Sequence, residues 1–287
     1  MIIDKLFEAV KTKGHVCLGL DTDFSYLPES YAAQFSSKWE AVFSFNKDLI
    51  DATIDVVACY KVQIAYYEAL GVEGLVAYVL TLRHIREKGG ISIADIKRGD
   101  IAKTAEMYAQ AHFTGDFEAD FITLSPYMGM DSIEPYLPYI QNAEKGIFVL
   151  IRTSNPGAAD FEYLDLKNED KLYREVGRRM YELGQKYLGQ CGYSSIGGVM
   201  GCTHSDEAVS MRKNLKSMFF LIPGYGAQGG KAEDIALYLT NGNGGVVNAS
   251  RSILQAWQKV ENGAEQFAQA AREEAIRMRD DILKHCK

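Results

Sequence analysis

Eight short apolar runs bounded by turn residues recur along the chain, beginning near His15, Val56, Ser92, Asp120, Gly146, Ile196, Met218 and Gly245. Successive runs start 22 to 50 residues apart, about 33 on average, which is the length of a strand, a helix and two loops. The runs at 16–20, 147–151 and 218–222 are apolar on both faces, as parallel strands covered on both sides must be. Between the runs the apolar period changes to that of a helix. Leu75, Val79, Leu82 and Ile85 share one helix face, and Gly89 and Gly90 end it. Leu172, Val176, Met180 and Leu183 do the same after the capping-type cluster Asn168, Glu169 and Asp170. Phe267, Ala271, Ala275, Met278 and Ile282 predict a closing helix.

Strand and helix alternating eight times have one compact solution without an exposed sheet edge, the α/β class (β/α)8 TIM barrel. An open doubly wound sheet is the competitor, but it usually carries GxGxxG after its first strand, and here Asp21-Thr22-Asp23-Phe24 stands there. An extra N-terminal helix, with Ile3, Leu6, Phe7 and Val10 on one face and Gly14 at its end, is placed to plug the barrel bottom. No Pro/Ser-rich linker or low-complexity tract divides the chain, so residues 1–287 read as a single domain.

Composition removes several functional classes. No apolar stretch approaches the roughly 18 residues of a membrane helix, and Asp4, Lys5, Glu8 and Lys11 interrupt the N-terminus, unlike a signal peptide, so a cytoplasmic protein without a membrane role is expected. The five cysteines are odd in number and lack zinc spacing, and the five histidines form no HxH or HExxH pair, so no metal site is expected. A net charge of −7 with no Lys/Arg block argues against a nucleic-acid partner, while leaving room for a small anion held by locally gathered cations.

In such a barrel the active site forms where the strands end at their carboxyl side. Asp21, Lys61, Asp95 and Lys97 fall at the ends of the first three strands, four charges of alternating sign. Alternation places Asp95 and Lys97 on one side of their strand, with Ala94 and Ile96 opposite. Neighbouring carboxylates keep a lysine protonated, and a protonated lysine can act as a general acid. Pro223-Gly224-Tyr225-Gly226-Ala227-Gln228-Gly229-Gly230 after the seventh strand and Ser250-Arg251 after the eighth lie on the two loops that bind phosphate in these barrels. Arg251 supplies a fixed positive fork. A long connection, residues 153–169, follows the fifth strand and has the length of a lid, although its distal part, 160–167, reads equally as a mobile surface excursion.

Asp95-x-Lys97-x-x-Asp100 with Thr104, then Ser154-Asn155-Pro156-Gly157-Ala158, the 223–230 loop and Ser250-Arg251-Ser252-Ile253, resemble in order the motifs of the orotidine 5′-phosphate decarboxylase family, its longer bacterial subgroup. The resemblance runs from about Val16 to Ile253. It implies decarboxylation of orotidine 5′-monophosphate to UMP, the last step of de novo pyrimidine synthesis, with no metal or organic cofactor. It further implies that Lys97 protonates C6, Asp95 lies beside the substrate carboxylate, Lys61 completes the charge array and Asp21 binds the ribose. Ser154 is implied at the pyrimidine, and Gln228 and Arg251 at the phosphate, on loops shared with Pro223 and Ser250. Asp100 and Thr104 are implied to complete the site of a partner subunit in a homodimer. A metal-dependent sugar-phosphate decarboxylase or aldolase of the same superfamily shares the Asp-x-Lys-x-x-Asp core, but it places a metal-binding carboxylate where this chain has Lys61. A non-catalytic nucleotide-binding barrel is the third reading, and the joint presence of Asp95, Lys97 and Asp100 argues against it.

Overall fold

The computed structural model describes residues 1–142, 144–167, 170–202, 205–226 and 229–286. Eight parallel strands, β1 (Val16–Gly19), β2 (Cys59–Gln63), β3 (Ser92–Arg98), β4 (Phe121–Leu124), β5 (Gly146–Arg152), β6 (Ser194–Met200), β7 (Met218–Pro223) and β8 (Gly245–Ala249), close into a barrel in chain order. β8 returns to β1 with Val16 opposite Val247 and Cys17 opposite Asn248, so no sheet edge is left open. The chain is thus a (β/α)8 barrel. None of its described helices is long and apolar enough to cross a membrane.

Most element boundaries follow the sequence pattern, including the helices Gly71–Glu87 and Phe267–His285. The second strand is corrected by three residues, from Val56 to Cys59, because the N–H groups of Ile54, Val56 and Val57 return to Ile50 and Thr53 and close the helix Lys38–Thr53. The helix Leu172–Gly184 starts from Lys171 without a side-chain cap; Asp170 accepts the Lys171 N–H at 2.9 Å, and Asn168 and Glu169 lie outside the described residues.

Strand alternation divides each strand between two environments. Val16 and Leu18 of β1 face outward into the layer shared with Phe45 and Leu49 of the helix Lys38–Thr53. Cys17 faces inward, with Ile93, Phe121, Phe148, Phe219 and Val246. The N-terminal helix Ile2–Lys13 presents Ile2, Ile3, Leu6 and Val10 to this inner cluster and seals the lower end of the barrel. Gly14 terminates that helix at φ 83°, a left-handed conformation that glycine adopts without the Cβ clash other residues meet. Two residues further along the inward rows the character changes from apolar to charged. Cys59 is followed by Lys61 and Gln63, and Ile93 by Asp95. The same two-residue period that fills the bottom of the barrel therefore equips its mouth.

Leu6 is fully buried in the bottom cluster. Leu6→Ala is expected to lower the free energy of unfolding by about 2–5 kcal/mol, through lost transfer energy and the cavity left behind. Urea denaturation would measure the loss, while turnover per folded molecule at 25 °C should not change because the mouth lies at the opposite end.

Candidate active site

A cavity of about 460 Å³ opens at the carboxyl ends of the strands. Its floor is a chain of charges. Lys61 Nζ lies 3.0 Å from Asp21 Oδ1 and 2.9 Å from Asp95 Oδ2, and Lys97 Nζ lies 2.6 Å from Asp95 Oδ1. Three hydrogen bonds from neutral groups hold the carboxylates in place, and a fourth supports one of the donors. Gln63 Nε2 donates to Asp95 Oδ2 at 2.9 Å, Thr123 Oγ1 to Asp95 Oδ1 at 2.8 Å and Ser250 Oγ to Asp21 Oδ2 at 2.8 Å, while Asn248 Nδ2 reaches Ser250 Oγ at 3.5 Å. β1, β2, β3, β4 and β8 are thereby joined across the mouth by side chains as well as by the ladder.

Burial alone would pull an ammonium below the ordinary lysine value, but the charges of Asp21 and Asp95 outweigh it and hold Lys61 well above that value. Burial likewise pushes the Asp95 carboxyl upward, and the charges of Lys61 and Lys97 overcome it, leaving Asp95 well below the usual carboxylate range. Lys61 stands between Asp21 and Asp95, and Lys97 pairs with Asp95. Lys97 is also the exposed member, its side chain 46% accessible against 6% for Lys61 and 7% for Asp95.

β3 does not run regularly to its end. Lys97 has φ 44°, and the β3–β4 register shifts between Ala94 and Arg98. Asp95 and Lys97 both line the cavity, as alternation predicts, but the second of them is delivered by this break.

The loop after β5 is tied back rather than free. Glu162 accepts from Thr153 N at 3.0 Å and from Thr153 Oγ1 at 2.6 Å. Tyr163 Oη receives Arg152 Nη2 at 2.7 Å and donates to Glu207 at 2.6 Å, while buried Arg152 pairs with Glu207 at 3.2 Å. Glu162 and Tyr163 thus tie the segment 160–167 to the barrel, while Phe161, Leu164 and Asp165 lie on the surface. On the loop after β7, Gly226 stands at φ 69° with its N–H on Gly230 O, a turn that a side chain would strain. Tyr225 lines the cavity and donates its hydroxyl to Asp281 Oδ2 of the closing helix at 2.6 Å.

Of the residues singled out in the sequence, Asp21, Lys61, Asp95, Lys97, Ser154, Pro223, Ser250 and Arg251 all line this cavity. Asp100, which accepts the N–H of Ile101 at 2.8 Å, and Thr104, exposed in the first turn of the helix Ala102–Phe113, do not line it. Gln228 lies outside the described residues. Gln63, Thr123, Asn248, Tyr26 and Tyr66 were missed as cavity residues. Gln63 and Thr123 had a signal that could have found them, since each stands two residues after an inward-facing apolar or charged residue of its strand.

Fold and site together define a (β/α)8-barrel enzyme that carries an alternating four-charge array at its mouth. The chain belongs to the orotidine 5′-phosphate decarboxylase / HUMPS family, whose model matches residues 14–266. It is 61% identical over 284 residues to the orotidine 5′-phosphate decarboxylase of Clostridium kluyveri, covering 99% of this chain and 98% of that protein. It is 63% identical over 284 residues to the protein of that name from Clostridium acetobutylicum, covering 99% of each. Among solved structures, the Leishmania donovani OMP decarboxylase superposes with a TM-score of 0.77 at 28% identity, covering 99% of this chain and 98% of that one.

Lys61→Met would leave Asp21 and Asp95 without the ammonium they share, and a loss of about 3–5 kcal/mol at pH 7 is expected. Asp95 is depressed in the folded state, so its stabilisation is complete above the unfolded value near 3.9 and is lost as pH falls below that value toward the folded one. Lys61 is raised, so its contribution is complete below about 10.4 and is lost only in stronger alkali. Urea melts at pH 7 and pH 3 should therefore show the wild type losing stability in acid more steeply than the variant; parallel losses would refute the coupling.

Proposed function

We propose that the chain is a carboxy-lyase that converts orotidine 5′-monophosphate to UMP and CO2, the last step of de novo UMP synthesis, without metal or organic cofactor. The observation that carries this reading is the chain of ion pairs from Asp21 through Lys61 and Asp95 to Lys97, with its one open ammonium facing the cavity. The relatives that bear the decarboxylase name at 61% and 63% identity support it.

The chemistry requires such an array. Breaking the C6–carboxylate bond leaves the electron pair on C6 in an orbital that the pyrimidine ring cannot delocalise well, so stabilisation must come from fixed charge. In this reading Lys97 Nζ, anchored 2.6 Å from Asp95, faces C6, stabilises the developing pair and transfers its proton there. CO2 leaves, and water reprotonates the amine. Asp95 stands beside the departing carboxylate, and Lys61, paired also with Asp21, keeps Asp95 ionised. Enzyme accelerations span about 8–23 kcal/mol, and a carbanion without an electron sink calls on the upper part of that range. Remote binding contributes to it. Arg251 and Gln228 are assigned to the phosphate, Pro223 and Ser250 to substrate binding on the same loops, Asp21 to the ribose and Ser154 to the pyrimidine, so that loop closure on the nucleotide is coupled to the reacting carbon.

The metal-dependent sugar-phosphate reading is not favoured. It needs a carboxylate where β2 presents Lys61, an ammonium already committed to two carboxylates. We also assign the chain to the cytoplasm and to one domain over residues 1–287. The active unit is proposed to be a homodimer in which Asp100 and Thr104 complete the partner's site. Their place outside the chain's own cavity, beside exposed Ile101 and Met107, supports this.

Purified protein in EDTA should consume orotidine 5′-monophosphate, followed by its ultraviolet absorbance, and Lys97→Ala should fold and bind UMP with turnover abolished. Activity that appears only with Mg²⁺ and a sugar phosphate would overturn the assignment. For the dimer, mixing inactive Lys97→Ala and Asp100→Ala chains should restore about a quarter of wild-type activity, the share of sites that random exchange makes whole. No recovery after subunit exchange would place Asp100 outside the partner's site.

A further inference from the structure

We propose that Thr123 is a positioning residue for the reaction, its single hydroxyl setting both the backbone break that delivers Lys97 and the orientation of Asp95. The inference rests on the reading of Lys97 as the proton donor. β3 and β4 are in register at Ile93 opposite Phe121 and Ala94 opposite Ile122, and pair again only at Arg98 opposite Leu124. Four steps along β3 therefore match two along β4. Within this shifted stretch the N–H groups of Ile96 and Lys97 turn to a side-chain oxygen. Thr123 Oγ1 accepts both, at 3.0 and 2.9 Å, and donates its own hydrogen to Asp95 Oδ1 at 2.8 Å. A hydroxyl has one hydrogen and two lone pairs, so its capacity is used completely.

This arrangement explains the left-handed φ of 44° at Lys97. A side chain in that conformation is disfavoured and persists only where its surroundings fix it. Here the bond from Lys97 N to Thr123 does so. The atom that holds the donor's backbone also holds Asp95 Oδ1, the carboxylate oxygen on which Lys97 Nζ rests at 2.6 Å. Both ends of the Lys97 side chain are thus referred to one oxygen, which is buried within the barrel. Valine, of nearly the same shape, can supply none of the three bonds and would free the ammonium to move relative to C6. A displacement of about 1 Å in a reacting group lowers the rate on the order of 100-fold.

The test compares Thr123→Val, Thr123→Cys and Thr123→Ser with wild type and Lys97→Ala, at 25 °C and below each variant's melting temperature. The expected result is that kcat falls about 100-fold in Thr123→Val and by an intermediate factor in Thr123→Cys, while KM and UMP affinity stay within about threefold and Thr123→Ser recovers most of the rate. Should Thr123→Val fail to fold, the cysteine and serine variants carry the comparison. A lowered melting temperature with kcat unchanged, or a rise in KM alone, would make Thr123 a structural residue only and overturn the inference. Undiminished turnover in Lys97→Ala would instead overturn the reading on which it rests.

Discussion

A lysine ammonium buried inside a barrel has to be neutralised where it stands, and the neutralisation of Lys61 by Asp21 and Asp95 is the constraint on which the rest of the mouth depends. Adjacent strands lie about 4.8 Å apart, so a side chain on β2 can reach carboxylates on β1 and β3 only if the three strand ends stay in register. The ion pairs enforce that register from above, as the apolar inner cluster does from below. Removing one partner leaves the others as uncompensated buried charge. Asp95 is shared, and through it the constraint passes to Lys97.

The fold was legible because its signal is long-range and redundant. Eight apolar runs at barrel spacing leave few alternatives, and an error of three residues at Cys59 does not change the count. The four mouth charges were legible for the same reason, since strand ends and residue types coincide at Asp21, Lys61, Asp95 and Lys97. What stayed hidden is local and cooperative. Alternation assumes a regular strand, and β3 breaks its register at the residue that matters most. Thr123 reads in sequence as one more β-branched strand residue, and nothing in its neighbours shows that two extra residues stand opposite it. That Lys61 pairs with two carboxylates was hidden too, because it depends on the distance between strands.

The loops around the mouth differ in what anchors them. The segment after β5 is fastened to its own strand and to the helix that follows β6 through Arg152, Tyr163 and Glu207, so Ser154 sits at the root of a clasped loop. A net charge of −7 is no obstacle to an anionic ligand here. Net charge is a sum over the whole surface and leaves the mouth unspecified, where Lys97 and Arg251 are accessible at the cavity.

The hydrogen bond from Tyr225 to Asp281 carries a further meaning for the chain's linear order. The barrel is geometrically complete at Ala249, yet the loop after β7 takes its bearing from a residue 32 positions later. The residues that complete the sheet are therefore not enough to fix the mouth. A nascent chain that has formed all eight strands would still await the last helix before Tyr225 has its fixed point.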